Sequence, residues 1–163
     1  MAKDSTIIIQ KDKSNTSVDI EDRFGIVVVE MPLIIPTEIK EVFEQNYPDE
    51  DGVDVYNSND GVKFDKYTIN IQMGIKGKIS YCNSNLKNFL DYITSTDGTL
   101  FSFYSPWVCD GKAGSYFGGV SDFDYFRDDT GESFMIFNMS IVVTKPKSSV
   151  TLLSNGNLSI NQL

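Results

Sequence analysis

The chain has 163 residues, 40% of them hydrophobic, and a net charge of −9, which fits one folded domain with a sizeable core and argues against wholesale disorder. No block of Lys and Arg offsets that charge, which argues against a protein that grips nucleic acid by its phosphates. Histidine is absent altogether, which removes Ser-His-Asp and Cys-His nucleophiles, HExxH metal sites and every His-ligated zinc; carboxylate-pair hydrolysis and lysine chemistry survive.

Residues 1–20 hold only the triplet Ile7–Ile9 among charged and polar neighbours, too short for a secretory signal. No run approaches the roughly 20 apolar residues that span a bilayer, so the expectation is a chain made and kept in a cytoplasm. Residues 1–23 read as an N-terminal arm, with a loosely held edge strand around Thr6–Gln10. "FGIVVVEMPLII" (24–35) predicts a strand buried on both faces and ended by Pro36. Residues 37–61 predict a polar, extended connection with one helical turn, in which Thr37 caps Ile39, Val42 and Phe43. Tyr67, Ile69, Ile71, Met73 and Ile75 then alternate with Thr68, Asn70, Gln72 and Gly74, the pattern of a half-buried strand.

Next, Leu86, Phe89, Leu90 and Ile93 fall at i, i+3, i+4 and i+7, a single apolar stripe on a helix at about 84–95. Asn83 or Ser84 would cap its start, and Gly98 would stop the chain just beyond it. So short a helix is marginal alone in water and must lie on a sheet. Its outer residues Lys87, Asn88 and Asp91 bring no chemistry together, so it packs and does not react. "TLFSFYSPW" (99–107) predicts an aromatic strand, residues 109–119 a Gly-rich loop, and Tyr116–Phe117 and Phe123–Tyr125 short strand pieces. "DDTGE" (128–132) is a turn, "SFMIFNMSIVVT" (133–144) the last strong strand, and Pro146 its end. The tail carries Asn155–Gly156, which suits a small hairpin or an arm. The expected organisation is an arm over 1–23, a β-rich domain over 24–145 and a second arm over 146–163. The fold class is α+β, mainly β: a sandwich or barrel with a single amphipathic helix packed on the sheet.

Candidate chemistry is sparse. The carboxylates of "DEDGVD" (49–54) lack the ligand spacing of a calcium loop and read as a solvated turn. Phe101, Phe103, Tyr104, Trp107, Tyr116 and Phe117 fit a core, a subunit interface or a sugar-stacking platform. "CDGKAGSYFGG" (109–119) lacks the GK[ST] order of a phosphate loop. Asp122, Asp124, Asp128, Asp129 and Glu132 offer no reason to single out a pair. Cys82 and Cys109 show neither metal spacing nor a disulfide framework. No catalytic, metal or cofactor residue is assigned.

The succession of segments carries more than any motif. The "DEDGVDVY" loop, the strand "KFDKYTINIQMGIKG", the helix "NSNLKNFLDYITSTDG", the aromatic strand "LFSFYSPW" and the closing "FMIFNMSIVV" resemble a family of tail proteins from phages and prophages of Bacteroides-type bacteria. The resemblance covers roughly residues 30 to 145; Tyr47 stands where that family has Trp, and "VCDGKAGSYFGG" where it has a basic stretch. The same order is similar to the fold of tail-tube, tail-terminator and distal-tail proteins, whose helix braces the sheet. It implies a non-catalytic structural virion protein, a ring-forming subunit of a phage tail or of its head-tail or baseplate connecting rings. The partners implied are further copies of itself and neighbouring tail proteins. DNA would pass through the lumen without specific binding, repelled by the acidic surface, and no membrane or small-molecule substrate is expected. The location implied is the virion tail, after assembly in the bacterial cytoplasm. Both arms would then be extended and would contact other subunits. The alternative is a carbohydrate- or host-surface-binding β-sandwich module, and behind it a carboxylate glycoside hydrolase.

Overall fold

Seven strands hydrogen-bond into one antiparallel sheet in the computed structural model, which describes residues 4–56, 61–96 and 98–161. In chain order the elements are β1 (Ile8–Lys11), β2 (Val18–Asp19), α1 (Ile20–Phe24), β3 (Ile26–Glu30), β4 (Glu44–Gln45), β5 (Asp54–Val55) and β6 (Tyr67–Gly77). There follow α2 (Ile79–Ile93), β7 (Leu100–Ser105), β8 (Asp110–Arg127), β9 (Ser133–Val143), β10 (Ser149–Leu152) and β11 (Leu158–Asn161). The large sheet runs β2-β1-β7-β8-β9-β6-β3, and β4-β5 and β10-β11 form small sheets of their own. The chain is mainly β with a helical layer, the expected class. The large sheet is open, yet it curls until the Val28 N–H of edge strand β3 donates to the carbonyl of Ser5, just before β1 (2.7 Å).

The alternation in β6 decides where the core lies. Tyr67, Ile69, Ile71, Met73 and Ile75 are all buried, and Ile71 and Met73 pair with Met139 and Phe137 of β9. α2 covers this face with Leu86, Phe89 and Ile93; Leu90 is half-buried, and Cys82 extends the stripe one turn earlier. The Phe89 ring meets Phe24 edge-on at 5.4 Å, tying the two helices together.

The helix differs from expectation at both ends. It starts at Ile79, where Lys78 is the N-cap and makes no side-chain cap bond, so Asn83 and Ser84 lie inside it. It stops at Thr94, whose Oγ1 donates to the Leu90 carbonyl (2.7 Å), four residues before Gly98. It is also not single. α1 is a short second helix: Asp19 accepts from the N–H groups of Glu21 and Asp22 at its start, and Gly25 takes φ +66° at its end.

The two expected arms are integrated into the domain. β1 lies between β2 and β7, inside the sheet, with Ile7 and Ile9 in the helix-side core and Ile8 in a second cluster on the opposite face. That second cluster is closed by the C-terminal hairpin β10-β11, through Val150 and Leu158 against Ala113. Lys11 is buried too: its Nζ donates to the carbonyl of Ile93 (2.7 Å), at the negative end of the α2 dipole.

Three further segments depart from the sequence reading. The 24–35 run is not a strand buried on both faces: Phe24 belongs to α1, the strand ends at Glu30 on the sheet edge, and Val29, Leu33 and Ile35 are exposed. Residues 37–56 contain no helical turn, and residues 57–60 of that connection lie outside the described residues. The expected Gly-rich loop is strand β8, continuous through both of the short aromatic pieces. Gly111 is required there, because a Cβ would stand 2.1 Å from the Phe103 carbonyl oxygen across the ladder.

Tyr67 supplies a pH prediction. Its hydroxyl donates to the Ile34 carbonyl (3.0 Å), and burial, followed by the nearby Asp110 charge, pushes its pKa up to about 12 from an ordinary value of 10.0. Below the ordinary value both states keep the proton. As pH rises from there towards about 12 the unfolded chain ionises first, so this tyrosine's share of the stability is lost across that window. Urea unfolding followed through that range should show the parent losing stability more steeply than Tyr67→Phe; parallel curves would refute it.

Candidate assembly surfaces

Of the carboxylates named from the sequence, Asp128 is occupied in a turn. The Asp128 carboxylate accepts from the Thr130 hydroxyl and from the N–H groups of Thr130 and Glu132, and these bonds, the Thr130 hydroxyl foremost, hold its pKa below the usual carboxylate range. Asp122 accepts from Asn138 Nδ2 (3.0 Å) on the neighbouring strand. Among the described residues no three His, Cys, Asp or Glu side chains come together as metal ligands. Cys82 is buried, donating to the Ile75 carbonyl, and burial pushes its thiol pKa up; Cys109 is exposed.

The six aromatics singled out from the sequence separate in space. Phe101 and Phe103 are core residues, Tyr104, Tyr116 and Phe117 are half-buried, and Trp107 is exposed. They do not form one exposed platform.

The exposed apolar surface lies elsewhere. Between β3 and β6 the chain leaves the body as a two-stranded ribbon. Met31 and Ile34 hold its start in the core. Ile39 then bridges Phe64, the Lys40 N–H donates to the Lys63 carbonyl (2.8 Å), and the Asp65 N–H to Glu38 (2.8 Å). Further out, Tyr56 N–H donates to Phe43 (2.9 Å), β4 pairs with β5, and Glu50 N–H donates to Tyr47 in the tip turn. Among the described residues the backbone is paired at the root and towards the tip, while many of the large apolar side chains are left in the open. Leu33 is 69% exposed, Phe43 67% and Tyr56 70%, and Ile35, Ile39, Val55 and Val62 are each more than half exposed. A monomer rarely leaves so many large apolar groups in water on one projection; such a surface marks an interaction site. A second, smaller one is the far end of the β8–β9 hairpin, where Phe123, Tyr125 and Phe126 are exposed.

No protein-family model matches the chain, and no curated protein does. A solved structure does: the crystal structure of the SPP1 Dit protein (gp 19.1), described as a paradigm of the hub adsorption apparatus in phages that infect Gram-positive bacteria. The fold is shared with a phage hub protein. The TM-score is 0.57 at 10% identity, over 89% of this chain and 52% of that one, so this chain spans about half the length of the Dit protein. At that identity the likeness concerns the fold alone. It supports the phage-tail type of fold expected from the succession of segments, and carries nothing about the Bacteroides-type family.

Sequence reasoning offered the terminal arms and the aromatic group as contact surfaces and did not single out the exposed apolar residues of the ribbon. The signal was present: Ile39, Phe43, Val53 and Val55 are apolar residues in the segment 37–61 otherwise read as a polar connection.

Proposed function

We propose that this chain is a structural virion protein, a ring-forming subunit of a phage tail or of its connecting rings, without catalytic activity. The observation that carries the proposal is the ribbon between β3 and β6, paired at its root and towards its tip, whose described residues Leu33, Ile39, Phe43, Val55 and Tyr56 are left uncovered within one copy. The fold shared with a phage hub protein supports the same reading. A ribbon covered by the next copy gives a heterologous contact, and repeated heterologous contacts form a ring when the rotation between neighbours closes and an open filament when it does not. Its partners are further copies and neighbouring tail proteins, and its place is the virion tail. An acidic ring would let DNA pass without holding it.

The test is sedimentation velocity of the purified chain with negative-stain electron microscopy. Closed rings of one stoichiometry are expected. A chain that remains monomeric at every concentration and salt tried would overturn the proposal. Phe43→Ser combined with Tyr56→Ser, at positions outside the core, should lower the assembled fraction and leave the melting temperature of the monomer close to that of the parent.

A further inference from the structure

Charge is distributed along the ribbon in a polar way. From residue 41 to residue 62 the sequence has no Lys or Arg, while the tip carries Asp49, Glu50, Asp51 and Asp54, all exposed. The root is the opposite. The Ile39–Phe64 bridge sets Lys40 beside Lys63, and the turn after β9 brings Lys145 and Lys147 to the same groove, which Phe64 and Pro146 also line. The groove lining holds four lysines and no carboxylate, on a chain of net charge −9.

The lysine turn is built and held. Ser148 donates to the Lys145 carbonyl through its N–H (3.1 Å) and its hydroxyl (2.6 Å). Beneath it the buried Lys112 Nζ donates to the carbonyls of Pro146 (2.9 Å) and Ser148 (3.0 Å). Tip and root of one copy cannot meet. The β4–β5 ladder holds the ribbon extended, and about ten residues separate Lys40 from Glu50, up to ~33 Å of chain.

We propose that the acidic tip of one copy docks in the lysine groove at the ribbon root of the next copy. This rests on the ring-subunit function proposed above and adds how neighbours find their register. Opposite charges steer the encounter and fix orientation, and like charges set against each other reject a wrong one. The exposed apolar side chains between tip and root are then the ones the neighbour covers.

The test uses the full chain and two charge-reversed sets: Asp49→Lys, Glu50→Lys and Asp51→Lys at the tip, and Lys40→Glu, Lys63→Glu and Lys147→Glu at the root, which leave Lys in three of the four tip positions and Glu in three of the four root positions. Lys145 packs its stem against Gly114 and is left in place. Self-association, read by light scattering, should fall with added salt in the parent and be roughly tenfold weaker or worse in each singly reversed set. A chain reversed at both tip and root, and an equimolar mixture of the two singly reversed chains, should assemble again. If the parent assembles and the reversed sets assemble equally well, or the doubly reversed chain stays as weak as the single ones, this docking is wrong and the ring function stands. If the parent never assembles, both fall together. Capture of a labelled DNA duplex by the parent, lost in the root-reversed set, would assign the groove to phosphates and overturn the proposal.

Discussion

A chain lacking residues 1–11 is expected to lose its cooperative unfolding transition. The deletion removes Ile7, Ile8 and Ile9, each at most 4% exposed. Burying one such side chain contributes about 1.5–3 kcal/mol, so the three together contribute about 5–9 kcal/mol. That is most of the roughly 5–15 kcal/mol by which a domain of ordinary stability is folded. It also strips β7 of its partner along Phe101–Tyr104 and leaves the Ile93 end of α2 without Lys11. Thermal unfolding followed by circular dichroism should show no sigmoidal transition in the truncated chain. A truncated chain that melts at the parent temperature would mean that β1 is a detachable arm after all.

Phe89→Ala is expected to cost about 3–5 kcal/mol, the usual range for emptying a buried aromatic site. Phe89 is fully buried and sits at the centre of the helix stripe, against Phe24 of α1 and between Leu86 and Ile93. The vacated space is walled by β-sheet on one side and a second helix on the other, so little of it can collapse. The urea midpoint should move accordingly, with an unchanged slope. Lys87→Ala, on the exposed side of the same helix, should move it by less than about 0.5 kcal/mol. Equal shifts in the two variants would show that α2 is not anchored through this face.

What the sequence made legible follows from how many faces each segment presents to water. β6 has one face in the core and one in solvent, so its apolar residues alternate and the strand is plain. α2 likewise shows its stripe from Leu86 onward, but its first turn places Ile79 and Tyr81 in the open and has no capping side chain, so the true start is invisible. β1 is covered on both sides, by the helices through Ile7 and Ile9 and by the C-terminal hairpin through Ile8. Three consecutive isoleucines therefore show no period, and the segment reads as a scrap of apolar residues in an arm. β8 hides for another reason. Its glycines suit a loop by composition, whereas Gly111 is there because the β7 backbone passes too close for any side chain. The ribbon escaped because its apolar residues, among them Ile35, Ile39, Phe43 and Val55, are exposed and follow no core's period.

The placement of β1 has a consequence for how the protein is made. Ile8 pairs with Tyr104 and Lys11 with Phe101, so β1 leaves the ribosome about ninety residues before its sheet partner β7. At about 5–20 residues per second the isoleucine triplet waits roughly 5–20 s, with neither of its covering layers yet in place. The hairpin that closes over Ile8 is translated later still, after β9. During that interval the triplet is open to wrong partners, including the same triplet on a neighbouring nascent chain. The flanking charges Lys3, Asp4, Lys11, Asp12 and Lys13 make the segment soluble while it waits. Neutralising Asp4, Asp12 and Lys13, which are exposed in the folded protein, should lower the soluble yield of newly made protein far more than it lowers the stability of protein already folded.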